Sequence, residues 1–167
     1  MRGVIGVGAA RETFPAVKQI DLLYRLDEVV LVHGVKVELT QGYDLIREAA
    51  LQSGREHMEE CRALLSADIP SIRTLCHVQD PSSFILDTAA TVNADVIVMG
   101  TRDLSRLAEV FIGSVSHRVL IHSTVPTLIV KGAARPVSTV IMAVKGPEDA
   151  ARLQAWLMAH PFKNPVS

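Results

Sequence analysis

The feature that most constrains the fold of this chain is a repeated alternation of short apolar runs with amphipathic segments. Five runs are rich in β-branched residues and lack polar alternation, and they cover residues 4–7, 29–32, 72–78, 96–99 and 127–130. Runs of this kind are typical of strands that are covered on both faces. Strands that alternate with helices predict one parallel sheet with helices on both faces and right-handed crossovers.

The segments between the runs carry apolar residues at helical spacing. Residues 12–26 and 43–65 are predicted as the first two helices. Asp80 is predicted to cap a third helix with Pro81 in its first turn, and a fourth helix is predicted to begin near Gly113. In parallel sheets, ligands bind beyond the carboxyl ends of the strands, where the strand order reverses. A binding site is therefore expected in the loops that follow the strands.

The composition bounds the class of protein. The 167 residues suffice for one domain with a substantial core but are too few for two. Any part of the chain beyond the first domain is therefore only a fragment of another. A net charge of −1 with 49% hydrophobic residues disfavours a nucleic-acid partner. The two cysteines belong to no CxxC or Cys/His cluster, which fits a reducing cytoplasm. The apolar start of the chain is too short for a membrane span or a secretory signal, so we expect a cytoplasmic protein without a membrane partner.

The pattern starts again near residue 135. Residues 140–146 form another apolar run that ends in a glycine turn, and residues 147–160 have the pattern of a helix. This repeats the opening strand and helix, so residues 1–133 are predicted as one α/β domain and residues 134–167 as a βα fragment that resembles the start of a second. A lone strand and helix cannot bury their apolar surface. The fragment is therefore expected to dock on the first domain's sheet or on a partner chain.

The fourth apolar run leads into a loop with the composition of an anion site. The run ends at Gly100, and Gly113, Ser114, Val115 and Ser116 follow a short way on. In such loops, backbone amides at a helix N-terminus point at phosphate oxygens, and small residues let the anion approach. The alternative without a ligand is that Gly100 and Gly113 only permit a tight turn and a helix start, and that Ser114 is the N-cap of the helix.

Residues 94–131 resemble the carboxyl-terminal half of a universal stress protein. That family has a strand, a G-x2-G-x9-G-[ST] loop, a helix and a last strand introduced by a proline. Gly100, Gly113 and Ser114 are in register with the loop, and Pro126 precedes the last strand. The resemblance extends more weakly over residues 3–131 and restarts at Val140.

The resemblance implies a five-stranded parallel sheet with helices on both faces, of the adenine nucleotide α-hydrolase-like type. It also implies a homodimer or another self-association, since family members usually pair through the last strand. Some members bind ATP and others do not. The expectation is a protein that acts in stress adaptation by protein association and is not an enzyme.

Two departures from the family pattern predict a degenerate nucleotide site without a resident cofactor. Asp103 stands where the family has its second loop glycine, and a carboxylate about 4 Å from a phosphate costs roughly 4 kcal/mol per unit charge at an effective dielectric near 20. Arg102 and Arg106 offset part of that cost. Where ATP-binding relatives carry an aspartate after the first strand, this chain has Gly8 and then Ala9.

The alternative is an ATP or AMP sensor. Its site residues would be drawn from both loops, namely Gly8, Ala9, Gly100, Arg102, Asp103, Gly113, Ser114, Val115 and Ser116. Arg118 would join Arg102 and Arg106 in a basic rim, although arginines on helix surfaces are usually just solvated. A hydrolase or transferase is a third class, but the chain has no Gly-x-Ser-x-Gly elbow and no HExxH motif. No catalytic residue and no metal ligand is therefore proposed from the sequence.

Overall fold

A single five-stranded sheet organises the computed structural model, which describes residues 1–8, 11–36, 44–101 and 113–166. All neighbouring strands are parallel, and the strand order is β3-β2-β1-β4-β5. The strands are β1 Arg2–Gly6, β2 Glu28–Val35, β3 Ser71–Val78, β4 Val96–Gly100 and β5 Thr127–Val130. Each overlaps a predicted apolar run, which confirms the parallel α/β fold.

Within the described residues, four helices connect or follow the strands, and a fifth lies in the carboxyl-terminal part of the chain. They are α1 Phe14–Leu23, α2 Asp44–Arg62, α3 Pro81–Thr91, α4 Ser114–His122 and α5 Pro147–Ala159. A short 3-10 turn, Arg11–Thr13, precedes α1. None of the helices in the described ranges is both long and apolar enough to cross a membrane.

The core has one layer on each face of the sheet. On one face, Val17 and Ile20 of α1 and Met58 of α2 are buried against the sheet. On the other face, Ile85 of α3 and Val119 of α4 are buried against it. The central strands β1, β2 and β4 are almost entirely buried, which is why their apolar runs show no polar alternation.

The predicted strand at residues 140–146 is absent. These residues have an irregular backbone, and Ile141 is 90% exposed, Met142 55% and Val144 45%. The prediction is wrong because an apolar run becomes a strand only where another strand offers hydrogen bonds, and none lies beside it in the described residues. The helix that follows is confirmed as α5. The division at residue 134 and the second repeat stay predictions.

The tail, defined as residues 134–166, docks on the domain through hydrogen bonds and an ion pair with α1. The side chain of Gln19 exchanges two hydrogen bonds with the backbone of Arg135, of 2.9 and 3.0 Å. Further along, the Lys163 amide donates to the Leu23 carbonyl at 2.7 Å, and the Lys163 ammonium lies 2.9 Å from Asp21 Oδ1. The tail is therefore held at two points that bracket the irregular segment and α5.

An aromatic cluster fills the second docking point. Tyr24, at the end of α1, stacks on Phe162 with ring centroids 5.1 Å apart and meets the edge of Trp156 at 6.0 Å. Trp156 in turn lies 4.8 Å from the ring of His160. Burial raises the pKa of Tyr24 to about 12. Trp156 anchors the tail to the core, since it packs against the buried cluster of the α1 face.

Candidate functional site

The carboxyl ends of β1 and β4 lie side by side at the point where the strand order reverses. Gly6 of β1 is in register with Met99 of β4, and both strands end within two residues of this pair. From β1 the chain continues to α1 on one face of the sheet, and from β4 it leads to α4 on the other face. Such a reversal opens a crevice between the two loops, which is where a ligand of this fold is expected.

The loop after β1 uses its amide within the protein. Gly8 is exposed, and its N–H donates to the hydroxyl of Thr13 at 2.9 Å. Thr13 is 4% exposed and stands directly before α1. The Gly8 amide is thus already satisfied by a side chain of the next element. Ala9 lies outside the described residues.

At the side of the crevice that α4 forms, the described residues leave space beside Gly113. Gly113 is the N-cap residue of α4 and makes no side-chain cap, and a Cβ atom built on it meets no atom within 4 Å in the described structure. Ser114 is the first residue of the helix and is exposed, so the prediction that Ser114 is the N-cap is wrong. The first-turn amides of a helix carry a partial positive charge. With a glycine cap, no side chain of the cap residue covers them.

Ser116 and Val115 face inward from the same turn. Ser116 is 6% exposed, and its hydroxyl donates to the carbonyl of Gly100 at 3.3 Å. Val115 packs against the core on the α3 and α4 face. The bond from Ser116 ties the start of α4 to the end of β4, so this hydroxyl serves the fold. Of the two hydroxyls predicted for phosphate, only that of Ser114 is exposed.

The start of α3 forms the other polar group at this end of the sheet. Asp80 is the N-cap, as predicted, and accepts from the Ser83 amide at 3.1 Å and from the Ser82 hydroxyl at 2.5 Å. These hydrogen bonds lower the pKa of Asp80 to about 2. Arg118 Nη1 lies 3.5 Å from Asp80 Oδ2. The structure thus pairs Arg118 of the predicted basic rim with a carboxylate of its own chain.

Two residues of β2 lie beside the carboxyl end of β1, and neither is among the site residues predicted from the sequence. His33 is 7% exposed, and its Nδ1 donates to the carbonyl of Val7 at 2.8 Å, which ties the ends of β1 and β2 together. A Cβ atom on Gly34 would lie 2.7 Å from the Cα of Pro81, so only glycine fits there. A polar residue within the apolar run of β2 is the signal that marks His33.

Several predicted residues lie outside the described part of the chain, namely Ala9, Arg102, Asp103 and Arg106. Within the described ranges, no group of three or more His, Cys, Asp or Glu residues is placed to hold a metal ion. The crevice that the structure does describe therefore consists of Gly8, Gly100, the first turn of α4 and the polar start of α3. It is lined by small residues, and most of its polar side chains in the described structure are engaged by the protein itself.

A parallel sheet with helices on both faces and a reversal of the strand order defines the doubly wound class of α/β domains. Within that class, residues 5–131 match the universal stress protein family, and the chain belongs to that family. The "Stress response protein NhaX" of Bacillus subtilis is 44% identical over 52 residues, which is 31% of this chain and 31% of that relative. The Thermus aquaticus "Universal stress protein in QAH/OAS sulfhydrylase 3'region" is 31% identical over 59% of this chain and 80% of its own length.

Solved structures of the family share the fold. A universal stress protein in complex with cAMP is 22% identical, over 81% of this chain and 98% of that chain, with a TM-score of 0.54. A universal stress protein family member from Arabidopsis thaliana with AMP bound is 16% identical, over 80% of this chain and 94% of its own, with a TM-score of 0.52. At these identities the likeness concerns the fold alone.

Proposed function

We propose that this universal stress protein acts in stress adaptation through protein association, without catalysis, and that its nucleotide site is degenerate. The observation that carries the proposal is that polar groups of the crevice are bonded within the chain. The Gly8 amide is bonded to Thr13, the Ser116 hydroxyl to Gly100, and Arg118 is paired with Asp80. A nucleotide would have to replace these bonds, and each replacement offsets part of its binding free energy.

The charged residues of the two loops also disfavour a bound nucleotide. The loop after β1 carries no carboxylate at Gly8 to hold a nucleotide, and the loop after β4 carries Asp103, whose charge repels phosphate. The protein would then work as a cytoplasmic association module, without nucleic-acid or membrane partners. Incubation with labelled ATP tests the absence of catalysis, and turnover above background that disappears on mutation of the crevice would contradict it.

The free edge of β5 supports the association. Pro126 and Val130 accept hydrogen bonds from Ile97 and Thr101 on the β4 side. Since the backbone groups of a strand alternate, Thr127 and Ile129 direct their N–H and C=O groups away from β4. No strand of the described residues pairs with that edge. An unpaired edge is a template for a strand from another chain.

The association is tested by the mass of the protein in solution. Ile129→Pro removes an outward N–H that proline cannot supply, and a proline in that position of an edge strand is compatible with the sheet. We expect the variant to be monomeric in analytical ultracentrifugation at concentrations at which the native protein self-associates. Ile129→Ala removes the same side-chain packing but keeps the N–H, and it is the matched control. Native protein that is monomeric at every concentration would contradict the proposal.

A nucleotide sensor is the second candidate, and one observation favours it. The first turn of α4 begins at a glycine cap, so no cap side chain bonds to its amides, and no atom of the described residues lies within 4 Å of a Cβ placed on Gly113; the Ser114 hydroxyl beside it is exposed. Two proteins of the same fold are described with cAMP and with AMP bound. Adenine nucleotides are therefore the ligand class to test.

Titration calorimetry with ATP, AMP and cAMP separates the two candidates. The degenerate-site proposal expects no saturable heat at micromolar to millimolar nucleotide. If heat is seen, Gly113→Trp fills the open space and should abolish it under the sensor hypothesis. Gly146→Trp is the matched control, because Gly146 is also an N-cap glycine with open space where a side chain would begin, and it lies before α5. Saturable binding that only Gly113→Trp removes would overturn the degenerate-site proposal.

A further inference from the structure

The domain binds two consecutive residues near the end of the tail in the manner of a peptide ligand. Tyr24 and Phe162 form an isolated antiparallel β-bridge, beside which the Lys163 amide donates to the Leu23 carbonyl at 2.7 Å. The ring of Phe162 stacks on that of Tyr24, and the Lys163 ammonium lies 2.9 Å from Asp21 Oδ1. A backbone bridge, a ring and a charge are thus recognised together, as in peptide-binding domains.

The domain orients its half of this contact with groups of its own. The Ser66 amide and hydroxyl donate to Asp21 Oδ2 at 3.1 and 2.5 Å, which leaves Oδ1 for a cation. The Asp21 side chain is 12% exposed and Tyr24 is 6% exposed. A carboxylate that is fixed in place and partly shielded from water binds an ammonium group more strongly than an exposed one does. We call Asp21, Leu23, Tyr24 and Ser66 the Phe-Lys site.

The tail occupies the Phe-Lys site without becoming part of the core. None of the described tail residues, 134–166, is buried. Two cavities flank the docked residues, one of about 230 Å³ beside Phe162 and one of about 550 Å³ beside Lys163. A segment that lies on the surface opens at a low free-energy cost. A ligand with the same two residues and a larger contact area can therefore displace it.

The Phe-Lys site is separate from the surfaces described above. Helix α1 ends at Leu23 and strand β2 begins at Glu28, so the site lies near the amino ends of the strands. The crevice lies at the carboxyl ends of β1 and β4. No residue of the Phe-Lys site belongs to β5, whose edge was considered for self-association.

We propose that the Phe-Lys site binds a partner protein that presents an aromatic residue followed by lysine in an extended segment, and that the tail occupies the site until this partner arrives. The inference rests on the proposed function, protein association, for which it names a second surface and the chemistry of the partner. The partner's aromatic ring stacks on Tyr24, its ammonium pairs with Asp21, and its lysine amide donates to the Leu23 carbonyl. These are the contacts that Phe162 and Lys163 make now.

A different protein fits this site better than a second copy of the chain. The tail of a second copy offers the same two residues and fills the two cavities no further than the resident tail does, so exchange of tails adds no contact at the site. The resident tail also has the advantage of its tether, which gives it a high effective concentration. Only a ligand that gains contacts beyond Phe162 and Lys163 overcomes that advantage.

Peptide binding to a chain with a vacated site tests the inference. The probe is a fluorescein-labelled hexapeptide, His-Pro-Phe-Lys-Asn-Pro, with the sequence of residues 160–165. The chain is the full-length variant Phe162→Ala/Lys163→Ala, whose fold is checked by circular dichroism. We expect saturable binding in fluorescence anisotropy, and binding at least about tenfold weaker to the native protein, because its tethered tail competes.

Two changes of charge test the specificity of that binding. Asp21→Asn in the double variant should weaken binding roughly tenfold, because a charge-assisted hydrogen bond is lost. Asp87→Asn, at an exposed carboxylate of α3 on the other face of the sheet, is the matched control and should change nothing. A hexapeptide with glutamate in place of its lysine should also bind at least about tenfold more weakly. Equal binding of both peptides, or no saturable binding to the folded double variant, would overturn the inference while self-association in ultracentrifugation still stands.

A photo-reactive peptide tests the location of the site in the native chain, independently of the double variant. The same hexapeptide carries benzoylphenylalanine in place of phenylalanine and is used at a concentration high enough to compete with the tail. Mass spectrometry of the digested protein should place the label on residues next to Tyr24. Labelling only elsewhere would overturn the inference. A dimer of the native protein that Asp21→Asn abolishes would also overturn it, because a second copy would then be the occupant.

Discussion

Two segments of the chain have the same local sequence pattern, an apolar run followed by a helix, but different outcomes. In the first, residues 4–8 lead into α1, and in the second, residues 140–146 lead into α5. Ile5 of the first strand is completely buried between β2 and β4, whereas Ile141 of the second is 90% exposed and irregular. Both helices begin with a proline in the first turn and without a side-chain cap. The helices form in both segments, but only the first strand does.

The difference separates what the local sequence determines from what neighbours determine. A helix closes its hydrogen bonds within itself, so α5 forms wherever one side of it finds apolar contacts such as Tyr24. A strand has to take its hydrogen bonds from another strand, and β1 has one on each side. Residues 140–144 have the same apolar character but no such neighbour in the described chain, and they stay irregular.

The largest effect is expected from truncating equivalent residues in the two runs. Ile5→Ala should lower the free energy of unfolding by about 3 kcal/mol, because it leaves a cavity in a fully buried layer. Ile141→Ala should change it by less than about 0.5 kcal/mol, since the side chain is exposed. Urea unfolding at low protein concentration measures both values. Comparable losses for the two variants would mean that residues 140–144 are packed like the first strand.

The docking of the tail is tested at Phe162. Phe162→Ala removes the ring that stacks on Tyr24, and we expect a loss of about 2 kcal/mol because the side chain is only partly buried. Trp156 is the one tryptophan of the chain and lies in the same cluster, so its fluorescence should shift to the red. Met158→Ala, on the exposed side of α5, is the control and should leave the emission unchanged. An unshifted spectrum for Phe162→Ala would show that the tail docks without this stack.

Acid should weaken the same docking point through Asp21. Burial alone raises the pKa of Asp21, but hydrogen bonds from Ser66 and the ion pair with Lys163 outweigh it and leave the pKa below its ordinary value. Because the native pKa is the lower one, the contribution is complete above about pH 4 and is lost as the pH falls through the native pKa. Asp21→Asn should cost about 1 kcal/mol at pH 7.

The pH dependence of that variant provides the check. The difference in free energy of unfolding between the native protein and Asp21→Asn should shrink as the pH is lowered from about 5 to about 3. Lys163→Met removes the cation and keeps the length of the side chain. The difference in free energy of unfolding between the native protein and this variant should also shrink as the pH is lowered, but by less. A difference that stays constant over this range would mean that the charge of Asp21 does not hold the tail.

The smallest effect is expected at the start of α5. Gly146 is the N-cap and has an extended backbone with no atom near a side chain placed there. Gly146→Asp adds an acceptor for the first-turn amides and should stabilise the tail helix by a few tenths of a kcal/mol, about the difference between these residues at an N-cap. Hydrogen exchange of the α5 amides resolves such an effect. Faster exchange in the variant would indicate that Gly146 is held in place by a contact of its backbone.

The five strands could be predicted from the sequence because each is an apolar run between helical segments, and Asp80 could be predicted as a cap from the Asp-Pro pair. The failure of the strand at residues 140–146 could not be predicted, because its own residues are as apolar as those of β1 and only the missing neighbour decides. The docking of the tail on α1 was likewise beyond local patterns. It depends on single contacts such as Gln19 with Arg135, which are 116 residues apart.

The position of the candidate site could be predicted from the sequence, but the hydrogen-bond partners of its residues could not. Gly100, Gly113 and Ser116 were expected at the end of β4 and the start of α4, and they are found there. Their spacing did not reveal that the Ser116 hydroxyl bonds to Gly100, or that Thr13 takes the Gly8 amide. The same sequence pattern places a hydroxyl at a helix start whether that hydroxyl binds a ligand or stabilises the fold. Only the partner atoms distinguish the two.

The nucleotide content of the purified protein tests the central claim most directly. Protein isolated from cells is denatured by heat, and the supernatant is analysed by anion-exchange chromatography for adenine nucleotides. Polar groups of the crevice are hydrogen-bonded within the chain, and the chain has Asp103 after β4 but no carboxylate at Gly8 after β1. We therefore predict that the amount of bound nucleotide does not come close to one equivalent per chain. ATP or AMP at close to one equivalent, absent from Gly113→Trp protein and retained by Gly146→Trp protein, would contradict the degenerate site.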